Sequence, residues 1–124
     1  MPYLPHAAMA SMRDLAGRIT EVRIVDKGDN ARPRYSLKVN VALTQMPRST
    51  TIRGVKFFGP LSIPHPNGGS RLTANSGNYD NLISALSTHY GGNLKAVENY
   101  LTSQLKNLPV MLQTIGGVWV ISQL

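Results

Sequence analysis

A mainly β fold with a helical insert is what this sequence predicts: five strands curled into a barrel, with helices between the third and the fourth. Three patterns carry that expectation. In "RYSLKVNVAL" (Arg34–Leu43) apolar and polar side chains alternate, the period of a half-buried strand. Between Tyr79 and Lys106 the apolar spacing lengthens to that of a helix. At the C-terminal end, two short apolar runs flank Gly116–Gly117, a two-residue hairpin turn.

The elements follow in order. "MPYLPHAAMASM" (residues 1–12) carries two prolines, no charge and no clean period, and reads as a flexible arm. "RDLAGRITEVRIVDKG" is a strand whose phase changes: Leu15, Gly17 and Ile19 share one face, while Val22 and Ile24 have the opposite parity. An extra residue near Thr20–Glu21, a β-bulge, restores inward pointing. "DKGDNARP" is a turn-rich loop leading into the alternating second strand, and "QMPRST" is the next turn. "TTIRGVKFFGP" is the third strand, bent at Gly54. Residues 59–78 hold three prolines and four glycines before Asn78, a loop whose length marks it as functional or mobile. Tyr79, Leu82, Ile83, Leu86 and Tyr90 then define one helix with a Gly stop. Asn93 caps a second, striped by Leu94, Val97, Leu101, Leu105 and Leu108. Two strands around Gly116–Gly117 complete the chain.

Strand, strand, strand, helices, strand, strand is the connectivity of the OB-fold, a five-stranded Greek-key barrel with its helix between strands 3 and 4. Other small α+β sheets share that string of elements. The expectation is one such domain over residues 13–124, which is long enough for a core without cross-links. The absence of cysteine excludes a disulfide framework and thiolate metal sites. No apolar run has membrane length and no signal peptide is present, so the expected location is the cytoplasm, of a cell or a host cell, with no membrane partner.

Thirteen basic residues face six acidic ones, a net +7, and the excess is localised. Arg13–Phe58 contains ten Lys/Arg against four Asp/Glu; the remainder contains three against two. A basic patch of this kind points to a polyanionic partner. Single-strand binding needs cations that follow phosphates and flat side chains on which bases stack. The second strand offers Arg34, Lys38 and Asn40 on its outer face, the first Arg18 and Arg23, and the third Arg53 and Lys56, turned outward together by the Gly54 bend. Lys27 and Arg32 extend this surface through the first loop. Phe57 and Phe58 are strand neighbours and point to opposite faces. With the bend, Phe57 joins the core and Phe58 lies beside Lys56, where it either stacks a base or packs beneath the long loop. Tyr35 has core parity but sits at a strand start, where its phenol can lean out. Trp119 either plugs the barrel or stacks.

The stretch "LAGRITEVRIVDKGDNARPRYSLKVNVAL", with Gly17–Arg18 opening its first strand, resembles the first hairpin of bacterial single-stranded-DNA-binding proteins built on one OB-fold. The likeness runs from about Leu15 to Leu124. The long Gly/Gln-rich linker and acidic tail of that family are missing and there are two helices instead of one, so the chain looks like a compact phage or mobile-element variant. The resemblance implies sequence-tolerant binding and protection of single-stranded DNA in replication or recombination, DNA preferred to RNA, with homo-oligomerisation left open. A cold-shock-like RNA binder, or a virion or protein–protein adaptor on a small barrel, remains as an alternative.

Catalysis has no support in the pattern. His6, His65 and His89 have no ligand spacing, Asp26 and Asp29 flank a turn, and "GPLSIPHPNGGS" lacks a P-loop lysine. The expectation is a non-enzymatic protein without metal or cofactor.

Overall fold

Alternation becomes strand wherever one parity finds a core, and β1 (Leu15–Asp26) and β2 (Tyr35–Leu43) show how. The computed structural model describes residues 15–28, 32, 34–44, 50–115 and 118–123; the arm at 1–12 and the turn at Gly116–Gly117 lie outside the described residues. β1 pairs antiparallel with β2, and the register slips between Ile19 and Glu21, where the phase change in the sequence put a bulge. Ile19 and Val22 are both buried as a result.

β3 (Thr50–Phe57) pairs antiparallel with the other edge of β2, and this register slips too. Val41 faces Ile52 and Val39 faces Val55, so Arg53 and Gly54 together oppose Asn40. Gly54 has φ +67°, the left-handed conformation such a bulge requires.

Asn40 holds both bulges. Its Oδ1 accepts the Gly54 N–H (3.1 Å), its Nδ2 donates to Glu21 Oε2 (3.1 Å), and its carbonyl accepts the Thr20 hydroxyl (3.2 Å).

The segment expected as a loop over 59–78 contains a second, two-stranded sheet: β4 (Leu61–Pro64) pairs antiparallel with β5 (Arg71–Ala74). Leu61 and Ile63 are buried, so the hairpin has its own apolar face. Two helices follow, α1 (Asp80–His89) and α2 (Leu94–Leu105), the latter capped by Asn93 Oδ1 accepting from Ala96 N–H at 3.1 Å. Leu82, Ile83 and Leu86 of α1 and Val97, Leu101 and Leu105 of α2 are buried.

Beyond the bulge, no strand among the described residues pairs with the outer edge of β1, and α2 supplies acceptors there. Thr102 Oγ1 takes the Val22 N–H at 3.0 Å and Glu98 Oε2 takes the Ile24 N–H at 2.7 Å. Residues four apart share a helix face, so one helix blunts the exposed strand edge.

β6 (Pro109–Ile115) pairs with the start of β1, and β7 (Val118–Gln123) pairs with β6. β7 meets β3 in a short parallel contact at Lys56–Val120 and Phe57–Ile121. The hydrogen-bonded order β1-β2-β3-β7-β6 therefore curls the sheet round until its ends meet. Val39, Val41, Val55, Phe57 and Leu112 fill the inside. No helix among the described residues is long and apolar enough to cross a membrane.

Candidate functional site

Three cations stand in one row across three neighbouring strands. Arg23 on β1 is the register partner of Lys38 on β2, which is the partner of Lys56 on β3. All three are exposed. Strands lie about 4.8 Å apart, and like charges directly opposite one another are destabilising. One acid relieves the row: Glu21 Oε1 pairs with Arg23 Nη2 at 2.9 Å, with both side chains substantially exposed, an arrangement of little energetic weight. Among the described residues nothing pairs with Lys38 or with the flanking Arg53, which the Gly54 bulge leaves exposed on β3.

The row ends at an open ring. Phe57 is buried inside and Phe58 is 44% exposed, with Lys56 Nζ 5.4 Å from its ring centroid. That is cation–π range. The ring also rests on the turn after β5: a Cβ on Gly77, which has φ +75°, would come within 3.1 Å of Phe58 Cε2. Phe58 thus leans on the 59–78 segment with one side and shows solvent another.

Beneath this ring is a cleft of about 480 Å³, within the range of ligand pockets. Lys27, Arg34 and Lys56 line it together with Tyr35, Ser36, Phe58, Asn78 and Asp80. Arg34 and Lys27 are brought there by a backbone bond, Lys27 N–H to Arg34 carbonyl at 2.8 Å, that closes the base of the β1–β2 loop. Asp80, the first residue of α1, accepts the Tyr35 N–H on Oδ1 at 2.7 Å and so ties the helix to the start of β2. Tyr79 just before it is buried; its hydroxyl donates to the Gly59 carbonyl (2.6 Å) and the Phe57 carbonyl (3.2 Å). Burial pushes that phenol up to about 12.

Some expected residues lie apart from this surface or are engaged elsewhere. Arg18 is exposed but turned toward β6, its Nη1 donating to the Asn107 carbonyl at 2.9 Å. Asn40 is occupied with the two bulges. Arg32 is exposed in the first loop, and Tyr35 is half-buried, packed on the core and lining the cleft. Trp119 is on β7 opposite Thr114, with its side chain outside the described residues. Sequence reasoning missed Asp80 and Ser36; a helix-start acid and a strand serine carry no signal of their own.

Elsewhere, His65 and His89 meet edge to face at 5.3 Å, and His6 lies outside the described residues. Among the described residues no three His, Cys, Asp or Glu gather as metal ligands would. No protein-family model matches the chain, and no curated protein or solved structure matches it either.

Proposed function

We propose that this protein binds single-stranded nucleic acid, DNA in preference to RNA, without strong dependence on sequence, on a five-stranded OB-fold barrel with helices between its third and fourth strands. The observation that carries it is the row Arg23–Lys38–Lys56 running across β1–β3 to the exposed ring of Phe58. A like-charge row opposes folding, and an external polyanion relieves it. Cations at strand spacing follow a phosphate backbone, and an open ring stacks a base of any identity. Lys27, Arg34 and Arg53 extend the track on either side. The role that fits is protection of exposed strands in replication or recombination, as in the compact OB-fold binders the sequence resembles, with no chemistry of its own.

Titration of a fluorescent dT oligonucleotide across a range of salt concentrations tests this. About three to five phosphate contacts predict a log–log slope of about −2 to −3.5. Absence of binding at low salt would remove the proposal and favour a protein–protein or virion adaptor. Much tighter binding of an rU tract than of dT would favour a cold-shock-like RNA binder.

A further inference from the structure

The cleft beneath Phe58 contains a group that a phosphate track does not need. Asp80 lines it alongside Lys27, Arg34 and Lys56, yet among the described residues it forms no ion pair with any cation. Its position in the first turn of α1 suits the helix dipole. That accounts for its charge but not for its direction. The carboxylate is turned back onto β2, where Oδ1 accepts the Tyr35 N–H at 2.7 Å, and its second oxygen has no partner among the described residues. Ser36, another lining residue, has a buried hydroxyl oxygen with no hydrogen-bond partner. A buried polar atom without a partner asks for an explanation, and here two under-used polar groups share one cleft.

We infer that the cleft reads the edge of one base and that Asp80 makes it selective for guanine, an inference that rests on the single-strand-binding function proposed above. A phosphate is repelled by the carboxylate, so what comes to Asp80 is the part of a nucleotide that donates hydrogen bonds. An ionised carboxylate only accepts, and offers about four lone-pair sites, so the bond from Tyr35 leaves capacity on both oxygens. Guanine presents two adjacent donors, N1–H and the N2 amino group, on its Watson–Crick edge. Adenine and cytosine set an amino group beside an acceptor, and thymine sets one N–H between two carbonyls. Those acceptors face the carboxylate's lone pairs unfavourably. Phe58 supplies the stacking plane, and Lys56 and Arg34 the phosphate contacts. Single-strand recognition commonly works this way, with an unstacked base held on a ring and read at its edge. The rest of the bound strand stays unread.

The test compares a dT tract of about 12 nucleotides with tracts carrying one central dG, dA, dC or deoxyinosine, for the native protein and for Asp80→Asn. Asparagine keeps an acceptor for the Tyr35 N–H, and a melting curve checks that the variant is folded. The native protein binds the dG tract about tenfold more tightly than the dT tract. Deoxyinosine, which lacks the N2 amino group, loses most of that gain. Asp80→Asn binds dG and dT alike, with dT affinity kept or raised because a negative charge has gone. Equal affinity of the native protein for all five tracts overturns the inference and leaves tolerant binding in place. Survival of the dG preference in Asp80→Asn overturns the role of Asp80. If no tract binds at low salt, the function proposed above falls and this inference with it.

Discussion

On the β4–β5 hairpin, Arg71 is tied to the fold: its Nε donates to the Ser62 hydroxyl at 2.9 Å and its Nη2 to the Ser62 carbonyl at 2.6 Å. Nearby, the Tyr100 hydroxyl donates to the Pro64 carbonyl, fastening α2 to the hairpin. On the outer face of β1–β3, by contrast, Lys38 and Arg53 have no partner among the described residues, and Arg23 has one exposed acid. The same residue types serve the fold in one region and burden it in the other. A like-charge row across adjacent strands is a cost to the folded state, and under the function proposed above a bound polyanion offsets that cost.

That contrast can be broken most forcefully from the helical side. Leu101→Ala removes a fully buried side chain of α2 and is expected to lower stability by about 2–5 kcal/mol in chemical denaturation, with nucleic-acid affinity of the folded fraction unchanged. Asn40→Ala releases both bulges and is expected to cost about 1–3 kcal/mol through the same measurement. Phe58→Ala does the reverse: binding to dT weakens by about 1–3 kcal/mol, the salt slope stays, and the melting temperature barely moves. Were Phe58→Ala to unfold the protein and leave affinity unchanged, the ring would belong to the packing of the 59–78 segment. Lys38→Ala is expected to weaken all sequences alike and to flatten the salt slope by about 0.7. Because it takes the middle charge from the row, stability is expected to hold or to rise by about 0.2–1 kcal/mol.

Alkaline pH sharpens the picture of the buried side. The Tyr79 phenol titrates at about 12 in the folded chain against 10.0 unfolded, so the folded state favours the neutral form. Its contribution is complete below pH 10 and is lost as pH rises between about 10 and 12. Tyr79→Phe is expected to lessen the fall in stability across that window.

Much of this was legible in the chain, for identifiable reasons. A parity change cannot be hidden in a strand, so the slip at Thr20–Glu21 and the bend at Gly54 were both readable, and with them the outward turn of Arg53 and Lys56. Two adjacent phenylalanines on a strand must separate, which placed Phe57 inside and Phe58 outside. The helices announced themselves by period and by the Asn93 cap. The β4–β5 hairpin did not, because four-residue strands among prolines and glycines are too short to show alternation above the turn signal. Asn40 looked like a ligand contact, since nothing local shows that its amide will meet a bulge on each neighbouring strand. Arg18 had the right parity but the wrong neighbour: β6 lies beside that end of β1, and the pairing comes from almost ninety residues away. Asp80 was invisible for the same reason, being brought to the cleft by the packing of α1 against β2.

The proposed path of a single strand runs along the exposed cations of β1–β3 to the open ring of Phe58. Mapping backbone amide NMR shifts during titration with a dT oligonucleotide tests it most directly. The account predicts perturbations concentrated at Arg23, Arg34, Lys38, Lys56 and Phe58, with Arg71, Tyr100 and the rest of the hairpin and α2 unmoved. Shifts centred on the hairpin and α2, with the β1–β3 face silent, would contradict it.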